Sequence, residues 1–514
     1  MVYDVLVIGS GGAGLSAALS AKSAGASVLV VSEGFPTRSQ TCMAQGGINA
    51  ALANEQEDSV ALHIEDTLRS SKGLGSAIMI EKMCEGAIGA LAWLNSIGVP
   101  FSRTDEGKIA QRRLGGTTSQ RACYSQDYTG LKILHTLYDQ CLKEEISFLN
   151  EHFLRSLEKD SALFLDIKST ETIQIKAKSI IMATGGYSAI YHGFTTNTNQ
   201  STGDGIAVAH RAGADVSNME FVQFHPTGLR KSGVLISESA RGAGGYLVND
   251  KGERFVDELK ARDVVSRAIW EEIENGNEVF LDIRHLGEAF IDENIPQERK
   301  LARLYEGVDP VTEKMPIAPV AHYSMGGIAV DESLMSTVSG LFAVGECSNA
   351  RVHGANRLGG NSLLEIVAFG RMAGENAAKF AQNNTIMIDS QKVPSIEDIY
   401  SIENSVDFYE KREALGELFY KNAGIVRNEK SLNHLLETLE EMQKELPLMG
   451  IVDSSRCYNT NLVELLKFQN TLTLSIMIVQ SALMRKESRG AHYREDFPDL
   501  DEAFEKDTIV GGLS

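Results

Sequence analysis

A short apolar strand running straight into a glycine-rich turn constrains this chain more than any other feature. Tyr3 to Ile8 is a β-branched run, followed by Gly9, Gly11, Gly12 and Gly14 and then by the small-residue stretch LSAALSAKSAG. That order reads as strand, tight turn and helix. A second apolar strand, Val28 to Val31, ends near Glu33, about 20 residues past the glycines, as a dinucleotide fingerprint requires. Each residue has a task. Gly9 permits the turn, Gly11 lets backbone approach a pyrophosphate, and Gly14 lets helix pack on strand. The helix start offers free N–H groups and a positive dipole end to phosphates, and Glu33 is placed for the ribose hydroxyls.

The fingerprint alone does not separate NAD from FAD. Further apolar strands with glycine-rich ends lie at Lys178 to Gly186 and Gly340 to Glu346, and Thr202-Gly203-Asp204-Gly205 adds a third such turn. Strand ends this far apart in sequence predict one open parallel sheet with an extended cofactor across it, which favours FAD. The stretch from His225 to Ser324 interrupts the pattern and reads as an insertion. Residues 383–398 read as a linker, and helical periodicity runs from about Val406 to Glu487. The expected domains are therefore 1–224 with 325–395, then 225–324, then 396–514.

At 514 residues the chain exceeds the usual size of a single core. Its formal net charge of −20 argues against nucleic-acid binding. The same charge repels dianions, so a dicarboxylate site must carry its own Arg and His cluster. The six cysteines form no CxxC pair, which speaks against a metal cluster in this chain and for a reducing compartment. The first residues enter a strand at once, leaving no room for a leader peptide. The apolar run LSIMIVQSALM is too short to span a membrane, so the expectation is a cytoplasmic protein without a transmembrane segment.

The segments TCMAQGGINAAL, GGTTSQRACYSQDYTG, MEFVQFHPTGL, ARDVVSRA, AHYSMGG, HGANRLGGNSLLE and ESRGAHYRED occur in this order over nearly the whole chain. Together they resemble the succinate dehydrogenase/fumarate reductase flavoprotein family. The resemblance implies an α/β fold: a Rossmann-like FAD-binding domain, an inserted α+β capping domain and a helical C-terminal domain. It also implies fumarate–succinate interconversion by hydride transfer at flavin N5.

A site for fumarate must hold two carboxylates with cationic or hydrogen-bonding groups, because unpaired buried charge is costly. By resemblance, His225, His322 and Arg357 bind the carboxylates, Ser237 stands where the family commonly has Thr, and Leu235 and Leu114 form an apolar wall. The planar fork of Arg357 suits bidentate pairing in a way that Lys does not. Arg262 matches the family's proton donor, and Glu238 and Arg241 match the relay that refills it. Taken alone, Arg262 would be read as a surface partner of Asp263 or Glu258. Cofactor contacts are expected from Gly9, Gly11, Gly12, Gly14 and Glu33, from Ser39-Gln40-Thr41 and Gln45-Gly46-Gly47, and from Ala183-Thr184-Gly185. Asp204, Glu346 and the helix start Asn361-Ser362-Leu363 complete the set.

One departure stands out. Many members bind FAD covalently through His in Arg-Ser-His-Thr; this chain reads Arg38-Ser39-Gln40-Thr41. Gln40 has no imidazole nucleophile, so FAD is expected to be non-covalent. A missing link lowers flavin potential and favours fumarate reduction, whereas Gln45 is commoner on the succinate-oxidising side. The first hint is given the greater weight. L-Aspartate oxidase, a relative with non-covalent FAD, is the main rival. Met325, Gly359-Gly360 and the Gly115 to Arg121 segment depart from its usual Cys, Ala-Ser and Gly-His-Ser-His. A non-catalytic FAD-binding scaffold would have lost at least one of His225, Arg262, His322 and Arg357, and all four are present. The family usually pairs this subunit with an iron–sulfur protein, and often with a membrane anchor that would hold the chain at the inner face of a membrane; other members act with soluble electron donors, and the sequence does not choose between them.

Overall fold

The computed structural model describes residues 2–386 and 396–512. The segment expected to be a linker falls mostly on 387–395, outside the described residues.

Val2–Ile8 and Val28–Ser32 pair in parallel, with Val5 opposite Val28. On the other side of Val2–Ile8 lies Thr172–Met182, also parallel, with Leu6 opposite Ile180. Ser147–Asn150 and Leu341–Ala343 extend this parallel set at either side. Val5–Ile8, Val28–Ser32, residues 179–182 and Leu341–Ala343 are buried on both faces, which is why they read as unbroken apolar runs. The expected all-parallel sheet needs correction at one edge. His152–Glu158, Ser161–Asp166 and the first half of Thr172–Met182 form an antiparallel meander. Only Lys159 and Asp160 separate the first two of these strands, too little chain for a parallel crossover.

The helix Gly12–Ser23 and the long helix Asn361–Gln382 pack side by side on this sheet, and Gly370 and Gly374 let the two helices approach closely. Gly9 has φ of +113°, and a Cβ there would strike the Ala183 carbonyl at 2.1 Å. That turn therefore admits only glycine.

A second, antiparallel sheet runs in the order Val222–Leu229, Met315–Ser324, Val279–Asp282, Tyr246–Asn249. It packs on the helix Arg262–Glu274 around its own apolar cluster, including Leu229, Val265, Ile269 and Leu281. Its first two strands carry His225 and His322, with His225 opposite Val320, so strand pairing sets the two imidazoles side by side.

The C-terminal region contains the helices Phe408–Asn422, Glu429–Glu445 and Thr460–Met484. The apolar run LSIMIVQSALM, too short by itself to span a membrane, is the second half of this last helix, which at 25 residues with mean hydropathy 1.4 meets the length and composition needed to cross one. In the fold 72% of its most apolar window is buried against the rest of the protein, which identifies it as a core helix.

Candidate active site

The strand ends of the parallel sheet and the facing wall of the antiparallel sheet enclose one continuous cleft of about 1820 Å³, open to solvent. At one end it is lined by Gly9, Gly11, Gly12, Glu33, Ser39, Gln40, Thr41, Ala183, Thr184, Gly185 and Asp204. At the other it is lined by Leu114, His225, Leu235, Ser237, Glu238, Arg262, His322 and Arg357. Gln45, Gly46, Gly47, Glu346, Ser362 and Leu363 lie on the same wall.

The cleft fits an extended dinucleotide. Ser39 Oγ, both side-chain polar atoms of Gln45, and Thr184 Oγ1 are buried without a protein partner. Unsatisfied buried polar atoms are costly, so their clustering here marks positions where a ligand supplies the missing bonds. A Cβ on Gly11 would meet nothing nearer than 3.5 Å, leaving room for a pyrophosphate against the backbone. Gln40 is on the wall, and its Oε1 accepts the Thr198 N–H at 3.1 Å. Glu33 is engaged by Lys467 from the helix Thr460–Met484, and Asn470 of the same helix donates to Asp204 Oδ1 at 2.6 Å. No motif pointed to Lys467 or Asn470, because the contact joins residues more than 260 positions apart.

Two of the residues expected to contact the cofactor sit elsewhere. Asn361 does not line the cleft; its amide bonds His63, Asn49 and Thr67 inside the core. Gly14 is also set back, because it packs under the Gly9 carbonyl, where a Cβ would stand at 2.0 Å.

At the far end the two imidazoles are 5.0 Å apart between ring centroids. The Thr227 backbone N–H donates to His225 Nδ1 at 3.3 Å, and Thr196 Oγ1 lies 2.8 Å from His322 Nδ1. With the Thr227 N–H donating to Nδ1, the His225 proton sits on Nε2 and leaves an N–H for a ligand oxygen; His322 takes the same tautomer when the Thr196 hydroxyl donates to it. Burial first, and then the Arg262 guanidinium, push both rings well below the usual histidine range. They are neutral donors rather than cations.

The positive charge is left to two arginines. Arg357 donates from Nη1 to Ser362 Oγ at 3.1 Å and lies 4.4 Å over the Tyr323 ring, while its Nε has no partner. Burial and the neighbouring Arg262 depress its pKa to about 10. Arg262 donates from Nε at 3.1 Å and Nη2 at 2.7 Å to Glu238 Oε2, and from Nη1 at 3.0 Å to Gln223 Oε1. It pairs with neither Asp263 nor Glu258. Glu238 Oε1 accepts the Gly115 N–H at 2.6 Å. Burial raises the Glu238 pKa, but Arg262 and Arg241 outweigh it and bring the group to about 2.

The expected relay has a gap. Arg241 is off the cleft wall, donates from Nη1 to the Glu258 carbonyl at 2.5 Å, and leaves Nε and Nη2 unpartnered. It reaches Glu238 through its field and not through a hydrogen bond. Gln223, within the MEFVQFHPTGL segment but without an assigned role, donates to Asn356 Oδ1 and to the Arg357 carbonyl, both at 2.9 Å. One amide thus ties the two arginines together.

Residues 4–363 match the FAD binding domain family, and residues 412–512 match the fumarate reductase flavoprotein C-terminal family. The chain is 39% identical to the succinate dehydrogenase flavoprotein subunit of Rickettsia bellii over 99% of its own length and 93% of that protein. It is 40% identical to the 8-methylmenaquinol:fumarate reductase flavoprotein subunit of Wolinella succinogenes, over 99% and 88%. Its fold superposes on the E. coli quinol fumarate reductase chain with a TM-score of 0.93 at 34% identity, covering 99% of this chain and 94% of that one. The adenylylsulfate reductase of Archaeoglobus fulgidus, at 18% identity and a TM-score of 0.79, shares the fold alone.

Proposed function

The chain belongs to the succinate dehydrogenase/fumarate reductase flavoprotein family of FAD-dependent oxidoreductases, and from that premise we propose that it interconverts fumarate and succinate, with fumarate reduction favoured. The observation that carries this reading is the convergence of two neutral imidazoles and an under-bonded buried guanidinium on one cleft. That donor set matches a small dicarboxylate: His225 and His322 offer N–H groups, and Arg357 offers a bidentate fork with its Nε still free. Holding both carboxylates also draws electron density from the alkene and prepares it for hydride attack.

FAD bound in the cleft supplies the two-electron hydride chemistry. Arg262 delivers the proton to the other alkene carbon. An arginine normally stays protonated, so the transfer needs immediate refilling by a proton that Glu238 first accepts from solvent through the relay behind it and then passes on along its two contacts to the guanidinium. Arg241, with two unpartnered donors behind Glu238, takes the next place, joined across the gap by water. Gln40 supports non-covalent FAD and, through the lower potential of an unlinked flavin, the reductive direction. The relatives are named as subunits, which supports a partner that exchanges electrons with the flavin; we assign that role to an iron–sulfur subunit, with a membrane anchor holding the assembly at the inner face of a membrane.

The test compares two assays on the purified FAD-loaded chain: oxidation of reduced viologen with fumarate, and peroxide formation with L-aspartate and oxygen. Fumarate-dependent oxidation is expected. Activity only with L-aspartate would replace this reading by L-aspartate oxidase.

A further inference from the structure

Behind Ser237, where the antiparallel-sheet segment meets the flavin side, two carboxylates are buried in one cluster. Glu298, in the helix Pro296–Leu301, is wholly buried and accepts the Ser237 backbone N–H at 3.2 Å on each carboxyl oxygen. Asp127, on the flavin side, is wholly buried too. Its Oδ2 accepts the Gln297 N–H at 2.8 Å, and its Oδ1 has no partner. Asp127 thus holds the residue next to Glu298, and its charge reaches Glu298 across the junction that the substrate cleft spans.

The surrounding charges do not neutralise them. Among the described residues no ion pair within 4 Å reaches either carboxylate. Arg112 is the nearby cation, but it donates to the Gly46, Gln45 and Gln126 carbonyls at 2.8, 2.7 and 3.0 Å. Tyr128 is the other titratable neighbour, and it feels both acids. Arg299, next along the helix, pairs with Glu288, Asp292 and Asp309. Two ionised carboxylates in such a place are strongly disfavoured, and retaining one proton between them resolves the conflict. Burial first, and then Asp127, push Glu298 up to about 8, while burial raises Asp127 as well.

We propose that Glu298 is a positioning residue for the proposed fumarate site. With a proton retained between it and Asp127, it seats Ser237 at the substrate and fastens the helix Pro296–Leu301 to the flavin side. Loss of that proton sets two like charges against each other across the junction and loosens it. Arg112 extends the effect to the Gln45-Gly46 loop, whose carbonyls it grips. The proposal rests on the reading of the cleft as a dicarboxylate site, and the test includes a readout that does not.

Steady-state kinetics of the FAD-loaded chain from pH 6.5 to 9.5 would compare wild type with Glu298→Gln, which mimics the protonated acid. If only the protonated pair is competent, the wild-type KM for fumarate rises about tenfold from pH 7 to 9 with little change in kcat, since each pH unit above the pKa costs a factor of ten. The Gln variant should stay within about twofold. Asp127→Asn, which removes the like charge from the other side, should also flatten the profile, and it serves if Glu298→Gln folds poorly. Hydrogen exchange of residues 288–301 without substrate, corrected for intrinsic rate, should accelerate above pH 8 in wild type and not in the variants. Variants that follow the wild-type profile in both readouts overturn the proposal. Absent fumarate turnover with the exchange pattern intact indicts the substrate reading instead.

Discussion

Replacing Arg357 by Met should make the ligand-free protein more stable while disabling it. Arg357 is fully buried beside a second guanidinium and has one hydrogen bond, to Ser362. Burial and Arg262 lower its pKa from 12.5 to about 10. A cation whose pKa falls on folding destabilises the fold at every pH below about 10, and the cost is relieved only as pH rises towards 12.5. That shift is worth about 3 kcal/mol at neutral pH. Methionine keeps the apolar stem and removes the charge, but it forfeits the Ser362 bond and the stacking on Tyr323, each worth about 1 kcal/mol. The net gain is roughly 1–2 kcal/mol. For a chain of this length unfolding as one unit that is about 1–2 °C in melting temperature.

The assay is a thermal melt of FAD-loaded protein in buffer free of carboxylates, repeated with fumarate. Wild type should gain about 2–3 kcal/mol at a hundredfold excess of ligand over Kd. Arg357→Met should show no ligand shift and a KM raised by about two orders of magnitude. A variant that melts several degrees below wild type without ligand would show that Arg357 supports the fold, and the reasoning would fail.

Three further outcomes follow from the same geometry. Glu238→Gln should lower kcat for fumarate on the order of 100-fold with KM little changed, because it breaks the refilling of Arg262 and not the grip on the carboxylates; a raised KM at unchanged kcat would count against this. The stability that Glu238 contributes is present above about pH 4.5 and lost as pH falls towards 2, so the variant should lose that acid-limb dependence in a pH titration of unfolding. Acid precipitation should leave the flavin in the supernatant, whereas a yellow pellet would contradict a dissociable cofactor at Gln40. Lys467→Met should weaken FAD binding about tenfold in an equilibrium titration of flavin fluorescence, since it strands the half-buried Glu33 carboxylate; an unchanged Kd would remove Lys467 from the cofactor site.

Much of the site was legible in the sequence, for local reasons. A turn that only glycine can make, a helix start beside it and a strand-end acid announce a nucleotide site within about 30 residues. His225, His322, Arg262 and Arg357 were legible through ordered segments, although nothing in their own neighbourhoods assigns them a role. Asn361 misled because its segment begins a helix that lines the cleft, while its side chain turns into the core to satisfy His63 and Thr67. The antiparallel meander was missed because an apolar run is the same string whichever way its neighbour runs.

By itself the sequence determined the nucleotide-binding unit, the imidazole and guanidinium groups available to the candidate site and the absence of an imidazole at residue 40, since these depend on which groups exist and on neighbours a few residues away. Tertiary structure alone decided which acid meets Arg262, that both histidines are neutral, that Lys467 reaches Glu33, and that Glu298 and Asp127 are buried together. Those are properties of desolvation and of distance between remote segments, and neither quantity exists until the chain has folded.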